Sequence, residues 1–466
     1  MHNGKSHFFV GVGGSGMMPL AMILAGQGAK VSGSDRSLDS GRLPTKFDAL
    51  KALGIGLFPQ DGSGITSPDQ TVIASAAVEA TVPDMVRAAE LGCARLTRAE
   101  LNAWLFNAAQ ISIGIAGTSG KSTVTGMIAW ILHSLGRDPT VMNGAVMKNF
   151  ATPDAPFASA LVGGNGIYVS EVDESDGSIA LYSPHIAVLN NVSLDHKSLE
   201  ELRQLFGDFA AKARTTVVNV GDAESAALAM ALDRSRTTTF AVEADADLSA
   251  RNLKPEAFAC RFDLVTSDVT LPVRLAVPGR HNVANALAAL GAVAATGIPL
   301  ADAARAVEGF TGLRRRFELV GEANGVAVID DFGHNPDKIG ATLDTLHAFP
   351  GRVLALFQPH GYGPLKVMRR ELVEMFVEKL APDDLLVLPD PVYQGGTVSR
   401  DVTSADIVAD IAASGRAARH IPDRAAAAAH LVAQARPGDR IVIMGARDDT
   451  LSLLATQMVD DLAARD

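Results

Sequence analysis

Short apolar runs alternate with amphipathic stretches along the first hundred positions of the chain. A strand is predicted at residues 7–10, a glycine turn follows it, and an apolar helix is predicted near residues 17–24. Further strands are predicted at residues 30–35 and 71–75. Strands that alternate with helices in this way form a parallel sheet with helices on its faces. The pattern therefore predicts a Rossmann-like α/β domain, which we place at residues 1–107.

The same alternation starts again twice further along the chain. Apolar strands are predicted at residues 111–116, 167–170, 186–189, 326–329, 353–357, 385–388 and 441–444, with a β-rich stretch near 262–277. A helix with one apolar face follows the strand at 111–116, and an alanine-rich helix starts after Asp423, a residue type that caps helices. We therefore predict a three-domain α/β protein, with a central domain at residues 108–312 and a Rossmann-like third domain at residues 313–466.

Composition and charge disfavour several classes of protein function. The 466 residues include 41 basic and 52 acidic side chains, a net charge of −11, which disfavours nucleic acid as the main partner. Two cysteines cannot build a disulfide framework, and no secretory signal is recognisable, so we expect a cytoplasmic protein. No apolar run reaches the roughly 20 residues of a membrane helix. We therefore expect small-molecule substrates and no membrane partner, and the oligomeric state stays open.

A glycine-rich turn follows the first predicted strand. Gly11, Gly13 and Gly16 match the G-x-G-x-x-G pattern, in which backbone N–H groups approach a diphosphate at a helix N-terminus. Asp35 ends the second predicted strand, where a carboxylate can accept hydrogen bonds from a ligand. The motif predicts a nucleotide or nucleotide-sugar site and does not distinguish NAD from a UDP-sugar. The alternative is a turn that needs glycine for packing alone.

A second loop, at residues 117–123, lies between a strand and an amphipathic helix. In such loops the backbone N–H groups converge on phosphates, Lys121 neutralises the β/γ charge, and Ser122 offers a hydroxyl to Mg²⁺. The strict phosphate-loop pattern has glycine at position 115, where this chain has Ile115. The loop predicts triphosphate binding and a P-loop ATPase-like central domain. The residues assigned to it are Gly117, Thr118, Ser119, Gly120, Lys121, Ser122 and Thr123.

Polar residues follow several other predicted strands. The acidic residues 171–176 are natural Mg²⁺ ligands or, alternatively, solvated acids at a strand end. His196 follows the next strand at the same predicted edge of the sheet, where it is a functional residue or, alternatively, an ordinary polar residue with satisfied hydrogen bonds. Asn282 and Asn285, one helical turn apart, suit an adenine edge or a helix cap. Three consecutive arginines, residues 314–316, sit at the predicted domain boundary, where one of them can reach a phosphoryl group or all three can belong to a solvated basic link.

Taken in order, these motifs resemble the Mur ligase family, the ATP-dependent amide ligases of peptidoglycan precursor synthesis. The resemblance covers essentially the whole chain. It is carried by residues 11–17, 32–35, 116–123, 171–176, 195–196, 279–285, 315–317, 330–336 and 357–360.

The resemblance implies roles for individual residues. The catalytic residues would be Lys121, Glu171, His196 and Arg316, and the Mg²⁺ ligands Ser122, Glu171 and His196. Asn282, Asn285, Arg316 and Asp331 would join the phosphate loop in binding ATP. Substrate binding would fall to Gly11, Gly13, Gly14, Ser15, Gly16, Asp35, Ser75, His334 and His360. The first domain would bind a UDP-sugar carboxylate, and the third would bind the amino acid or other amine that attacks its acyl phosphate.

Two departures from the family pattern bear on specificity. Residues 361–364 read Gly-Tyr-Gly-Pro, where some members carry arginines suited to an amino acid's carboxylate, and Ser198 stands where the family usually has an acid. These departures leave open which amine is added, whether the substrate carries UDP, and whether the reaction serves synthesis or recycling. An NAD-dependent oxidoreductase and a non-catalytic nucleotide-binding protein are the alternative hypotheses.

Overall fold

The fold is described from a computed structural model, which covers residues 6–193, 197–392, 400–446 and 448–465. These residues form two compact units. The first contains the described part of Met1–Leu253 with Arg261–Ala276 and Asn282–Gly312, and the second contains Lys254–Cys260, Val277–His281 and the described part of Leu313–Asp466. Within the described residues, no helix combines the length and the apolar character needed to cross a membrane.

The first sheet belongs to the first unit. Its strands are β1 (Ser6–Val10), β2 (Lys30–Ser34), β3 (Gly56–Phe58), β4 (Gln70–Ala74) and β5 (Arg95–Thr97). The helices between and after them are α1 (Met17–Gly26), α2 (Arg36–Asp39), α3 (Pro44–Ala52), α4 (Pro83–Glu90) and α5 (Arg98–Asn107). All strands are parallel, in the order β3-β2-β1-β4-β5. The chain leaves β1 towards β2 on one side and reaches β4 on the other, so the loop after β1 lies at a topological switch point, where ligands bind in open α/β sheets.

The second sheet has ten strands. They are β6 (Ile111–Ala116), β7 (Thr140–Met142), β8 (Ala160–Leu161), β9 (Ile167–Glu171), β10 (Ile186–Leu189), β11 (Thr215–Asn219), β12 (Thr237–Val242), β13 (Leu248–Glu256), β14 (Ala259–Val265) and β15 (Thr270–Leu275). Its helices are α6 (Lys121–Ser134), α7 (Leu199–Ala211), α8 (Ala223–Ala229), α9 (Arg280–Ala294) and α10 (Leu300–Val307), with 3₁₀ turns at Ser178–Leu181 and Arg234–Arg236.

Strand β6 lies inside this sheet, between two parallel neighbours. The strand order is β15-β14-β13-β12-β11-β10-β6-β9-β7-β8, and β8 is antiparallel to β7. Strands β10 and β9 flank β6 in parallel register. The carboxyl ends of these three strands therefore meet at one edge of the sheet, which brings the segments after residues 116, 171 and 189 together.

The third sheet belongs to the second unit. Its strands are β16 (Glu318–Ala323), β17 (Val326–Asp331), β18 (Val353–Phe357), β19 (Leu385–Leu388), β20 (Ala418–His420) and β21 (Arg440–Met444). Its helices are α11 (Pro336–His347), α12 (Tyr362–Val367), α13 (Arg369–Lys379), α14 (Ser404–Ala413), α15 (Arg424–Gln434) and α16 (Thr450–Ala463). The order is β16-β17-β21-β18-β19-β20, with β16 antiparallel to β17 and the other pairs parallel.

Helices cover both faces of this third sheet, as β18 illustrates. Val353, Ala355 and Phe357 belong to the apolar core on one face, whereas Leu354 and Leu356 belong to the core on the other. Successive side chains of a strand point to opposite faces, so a strand covered on both sides is apolar throughout. This explains why a continuous apolar run such as residues 353–357 marks a buried parallel strand.

Candidate active site

The phosphate loop connects β6 to α6 and turns sharply at Gly120. This residue has φ +85°, in the left-handed region that glycine adopts at little cost. A Cβ atom at position 120 would overlap the side-chain amides of Asn190 and Asn285. The loop therefore needs glycine here for its conformation and for the close approach of two asparagines. Helix α6 begins at the next residue, Lys121, and Thr123 is buried in its first turn.

The segment after β10 holds the loop in place. The Ser119 N–H donates to Asn191 Oδ1 at 2.8 Å, and Asn190 Nδ2 donates to the Ser119 carbonyl at 2.9 Å. The Thr118 N–H donates to the Asn191 carbonyl at 3.1 Å, and the Thr118 hydroxyl donates to the Ser193 carbonyl at 3.1 Å. The N–H groups of Thr118 and Ser119 are thus used within the protein and fix the shape of the loop.

Lys121 places its ammonium group inside the phosphate loop. Its Nζ atom donates to the Gly117 carbonyl at 2.7 Å and to the two carboxylate oxygens of Glu174 at 2.8 and 3.1 Å. Burial acts to lower the pKa of Lys121, but the charges of Glu174, Asp173 and Glu171 outweigh burial and raise it. The side chain is therefore cationic at neutral pH, as the binding of a triphosphate requires.

Ser122 and Glu171 bring two oxygen donors together beside this lysine. The Ser122 hydroxyl donates to Glu171 Oε2 at 2.8 Å. Glu171 ends strand β9 and lies against Gly144, where a Cβ atom would overlap its carboxylate. Two predicted metal ligands, 49 positions apart in sequence, are therefore in direct contact.

These two donors fit Mg²⁺. A hydroxyl and a carboxylate are hard oxygen ligands, and Mg²⁺ at nucleotide sites usually takes one or two protein oxygens, with phosphates and waters completing its shell. Among the described residues, no cluster of three or more His, Cys, Asp or Glu side chains could hold a metal by itself. The third predicted ligand, His196, lies outside the described residues.

Asn282 and Asn285 lie at the start of α9, next to the phosphate loop. Asn285 Oδ1 accepts a hydrogen bond from Asn190 Nδ2 at 2.9 Å, and Asn285 Nδ2 donates to Asn282 Oδ1 at 3.1 Å. Both asparagines are buried. Asn285 therefore supports the loop at Gly120, and the adenine contact assigned to the two asparagines stays a prediction.

The glycine-rich loop, residues 11–16, runs from β1 to α1 and is anchored by Asp35. The Gly13 N–H donates to Asp35 Oδ2 at 2.9 Å, and the Ser37 N–H donates to Asp35 Oδ1 at 2.8 Å. Strand β2 ends one residue earlier than predicted, because Asp35 caps helix α2. The Gly13 N–H is consequently engaged, and among the described residues of this loop the N–H groups of Ser15 and Gly16 are the ones that donate no hydrogen bond. The assignment of Asp35 to substrate binding stays a prediction.

Two basic side chains that the sequence patterns do not single out flank this loop. Lys46, in α3, is 8% exposed and donates from Nζ to the Gly13 carbonyl at 3.1 Å. Arg98, the first residue of α5, lies over Gly16, where a Cβ atom would come within 2.8 Å of Arg98 Cδ and 2.9 Å of Nη1. The glycine at position 16 therefore makes room for an arginine. No local motif could have found either residue, since both reach the loop from distant helices.

The remaining predicted residues of the first sheet lie at the same edge. Ser75 directly follows β4, whose last residue pairs with Val10 at the end of β1. The Gly14 N–H donates to the Gly11 carbonyl at 3.0 Å and closes the turn. The carboxyl ends of β1 and β4 thus gather Ser75 and the glycine-rich loop, as the parallel sheet predicts.

In the second unit, the predicted residues cluster where β17 and β18 end. The Asp331 carboxylate accepts hydrogen bonds from the Phe317 N–H at 2.8 Å, the Gly333 N–H at 2.8 Å and the Thr342 hydroxyl at 2.9 Å. Asp331 therefore fixes the backbone around this edge. Its assignment to ATP stays a prediction.

The aromatic residue after Asp331 organises the basic side chains of this cluster. The Arg316 guanidinium lies 4.2 Å from the Phe332 ring centroid. The His334 ring meets the rings of Phe332 and His360 edge-on, each at 5.5 Å between centroids. Three predicted residues, Arg316, His334 and His360, are thus neighbours along one aromatic row.

A buried ion pair lies beside this row. Arg315 Nε is 3.6 Å from Asp330 Oδ1, and the Ser452 hydroxyl donates to Asp330 Oδ2 at 2.7 Å. Burial raises the pKa of Asp330 to about 6, although the charge of Arg315 acts in the opposite direction. Arg315 has φ +59°, a strained conformation for a non-glycine residue. Both arginines approach the Phe332 ring, Arg315 at 5.2 Å and Arg316 at 4.2 Å from its centroid, and Arg315 is the one that also pairs with the buried Asp330.

Comparison with known proteins gives concordant matches along the whole chain. The model described as "Mur ligase family, catalytic domain" matches residues 7–110, the "Mur ligase middle domain" matches residues 115–293, and "Mur ligase, glutamate ligase domain" matches residues 315–447. The UDP-N-acetylmuramate–L-alanine ligase of Streptomyces coelicolor is 36% identical over 466 residues, covering 98% of this chain and 97% of that protein. The enzyme of the same name from Acidithiobacillus ferrooxidans is 36% identical, with 96% of each chain covered.

Solved structures match the fold at lower identity. The UDP-N-acetylmuramate–alanine ligase of Thermotoga maritima has a TM-score of 0.79 at 24% identity, with 98% of each chain covered. A murein peptide ligase from Psychrobacter arcticus has a TM-score of 0.71 at 22% identity, covering 99% of this chain and 100% of that chain.

Proposed function

The chain belongs to the Mur ligase family of ATP-dependent ligases, and we propose that it joins an amino acid to the carboxylate of UDP-N-acetylmuramate. Lys121 carries this proposal. Its ammonium, on a side chain that is 19% exposed, lies in the loop between β6 and α6, 2.8 Å from Glu174, with the contacting pair Ser122 and Glu171 beside it. This arrangement supports the binding of a triphosphate whose γ-phosphoryl group is transferred. Family membership decides against the NAD-dependent oxidoreductase hypothesis.

The reaction has two steps, a phosphoryl transfer and an acyl transfer. A carboxylate oxygen of the acceptor attacks the γ-phosphorus, the bond to ADP breaks, and an acyl phosphate forms. The amine then attacks the acyl carbon, phosphate leaves with the former carboxylate oxygen, and the amine loses a proton. Charge builds up on the phosphoryl oxygens in the first step, and a preorganised cation such as Lys121 stabilises it without reorganisation of solvent.

Ser122 and Glu171 are the described residues that would hold Mg²⁺, and the bound ion would neutralise part of the phosphate charge. His196 retains its proposed role as a further ligand. Arg316, on the Phe332 ring, is proposed to bring a second cation to the nucleotide, and Asp331 to hold the backbone from which Arg316 projects.

The glycine-rich loop is proposed to take the UDP diphosphate. The N–H groups of Ser15 and Gly16 precede helix α1, whose N-terminus favours anions. Lys46, which donates to the Gly13 carbonyl, adds a buried positive charge to this loop. These features support the binding of an anionic ligand at the glycine-rich loop.

L-Alanine is the first amine to test, because the Streptomyces coelicolor relative is named for it. The glycine and proline at positions 361 and 364 offer no guanidinium to its carboxylate. Arg400, however, which comes later in the second unit, has its guanidinium carbon 5.5 Å from the Tyr362 ring centroid. This arginine supports an amine substrate that carries a carboxylate.

Mass spectrometry tests the proposal directly. The purified protein is incubated with UDP-N-acetylmuramate, ATP, Mg²⁺ and a panel of amino acids and peptides. We expect one amide product, formed with equal amounts of ADP and phosphate, and no product from a Lys121→Ala variant. ATP binding without a product across the panel would favour a non-catalytic nucleotide-binding protein, and turnover by the Lys121→Ala variant would refute the site.

A further inference from the structure

Arg98 lies between the glycine-rich loop and the acidic residues 173–176. It is the first residue of α5, a helix that Thr97 and Glu100 fix with a capping box. The guanidinium covers Gly16 at the N-terminus of α1, where a Cβ atom would be 2.9 Å from Nη1 and 3.3 Å from Nε. One side of the guanidinium therefore faces the point at which the proposed diphosphate would bind.

The other side of the guanidinium faces two carboxylates. Arg98 Nη2 is 3.5 Å from Asp173 Oδ2 and 3.9 Å from Asp176 Oδ2. Charge-assisted hydrogen bonds between such groups are normally about 2.7–2.9 Å long. Within the described residues these are the only acids paired with Arg98, whose side chain is 24% exposed. The guanidinium thus has donors that these acids do not saturate.

The same acidic residues adjoin the phosphate loop. The Ser175 N–H and hydroxyl donate to Asp173 Oδ1 at 3.0 and 2.7 Å, and Asp173 Oδ2 is the oxygen nearest Arg98. The next residue, Glu174, is the ion-pair partner of Lys121. The acidic segment therefore pairs with Arg98 through Asp173 and with Lys121 through Glu174.

We propose that Arg98 is a substrate-binding residue that links the two nucleotide sites. It binds the diphosphate of the sugar nucleotide on the glycine-rich loop, and it holds Asp173 and Asp176 beside Lys121. This inference rests on the proposed function, since it needs a sugar nucleotide at residues 11–16. It adds that Asp173 and the diphosphate compete for one guanidinium.

Competition for a shared cation has a testable signature. Removal of the guanidinium weakens diphosphate binding, whereas removal of the Asp173 charge releases the guanidinium and strengthens it. In a variant without Arg98 there is no guanidinium to release, so the Asp173 substitution should change diphosphate affinity little. A double-mutant cycle measures this dependence and separates it from the general loss of a nearby negative charge, which would act in both backgrounds.

The experiment measures the affinities of UDP and UDP-N-acetylmuramate for the full-length protein by calorimetry. We expect Arg98→Ala to weaken both ligands about tenfold, Arg98→Lys to recover part of the loss, and Asp173→Asn to tighten both about threefold. The Asp173→Asn effect should fall to within about 1.5-fold in the Arg98→Ala background. Arg95→Ala, which removes an exposed arginine from the neighbouring strand β5, controls for net charge and should change either affinity less than twofold.

Three results would overturn the inference. They are an unchanged affinity in Arg98→Ala, an equal Asp173→Asn effect in both backgrounds, and a loss confined to UDP-N-acetylmuramate, which would move Arg98 to the acyl carboxylate. Far-UV circular dichroism and the melting temperature verify that each variant is folded. If Arg98→Ala does not fold, the affinities of Arg98→Lys are used to test the role of the guanidinium. If the unsubstituted protein binds neither ligand, the proposed function fails; if it forms the product while Arg98→Ala binds normally, only this inference fails.

Discussion

The Nζ atom of Lys121 lies 2.8 Å from Oε2 of Glu174, whose side chain is 6% exposed. A triphosphate in this loop must share or replace that partner, because the ammonium also donates to the Gly117 carbonyl. Glu174 therefore keeps the lysine charged and in place before the nucleotide arrives, and it competes with the phosphates for the same donors.

Substitution of this pair should change nucleotide affinity in opposite directions. We expect Glu174→Gln to tighten the binding of a non-hydrolysable ATP analogue about threefold, since a competing charge is lost, and Lys121→Met to weaken it at least about tenfold. Fluorescence titration measures both. Glu79→Gln, an exposed glutamate in the first unit, serves as the control. Weaker binding by Glu174→Gln would show that the carboxylate contributes to the bound state instead of competing with it.

Gly120 should tolerate no side chain. Gly120→Ala adds left-handed strain and an overlap with Asn190 and Asn285, and we expect it to lower the free energy of unfolding by about 2–4 kcal/mol and abolish nucleotide binding. Gly136→Ala is the matched control, with φ +72° and open space around the added atom. It should cost only the strain, about 1 kcal/mol. Urea denaturation measures the free energy of unfolding of both variants. An equal decrease in Gly120→Ala and Gly136→Ala would mean that the two asparagines do not confine the loop.

Lys46 should contribute to sugar-nucleotide binding. Its buried ammonium donates to the Gly13 carbonyl, and we expect Lys46→Met to weaken UDP binding about tenfold while ATP binding stays unchanged. Lys51→Met, in the same helix but with a 58% exposed side chain paired to Asp48, is the control and should bind UDP normally. Calorimetry with UDP distinguishes the two variants, and equal behaviour would refute a role for Lys46.

The sequence predicts the fold class, the family and the two loops, because these depend on local patterns. Apolar strands, the glycine turn and the phosphate loop are short-range signals, and the prediction of the Mur ligase family is confirmed by the matches along the chain. The partners of the loops are not local. Lys46 and Arg98 reach the glycine-rich loop from distant helices, and only the folded chain brings them there.

For polar residues at strand ends, the sequence predicts the position in the fold better than the function. Asp35 and Asp331 lie at the predicted edges, yet each carboxylate holds neighbouring backbone N–H groups. A carboxylate at a strand end can bind a ligand or cap the following turn, and the sequence pattern is the same for both. Whether such a carboxylate binds a ligand or caps a turn depends on the direction of the nearby backbone N–H groups. That direction is defined only in the folded chain.

Asp330 should make stability depend on pH. Its folded-state pKa of about 6 is raised above the ordinary value of 3.8 by burial, so its contribution to stability is fully present below pH 3.8 and is lost as pH rises through 6. Asp330→Asn removes this dependence. Relative to the unsubstituted protein, the variant's deficit in unfolding free energy should shrink by about 2 kcal/mol between pH 4.5 and 7.5. Urea denaturation at the two pH values tests this, and a constant deficit would contradict the raised pKa.

Oxygen transfer from the acceptor carboxylate to phosphate tests whether ATP bound at Lys121 activates that carboxylate. UDP-N-acetylmuramate labelled with ¹⁸O in its carboxylate is converted with ATP and the amine that supports turnover, and the released phosphate is analysed by mass spectrometry. We expect each released phosphate to carry one oxygen from the carboxylate, because the acyl phosphate breaks at the bond between its acyl carbon and that oxygen. Amide formation with unlabelled phosphate would contradict this activation.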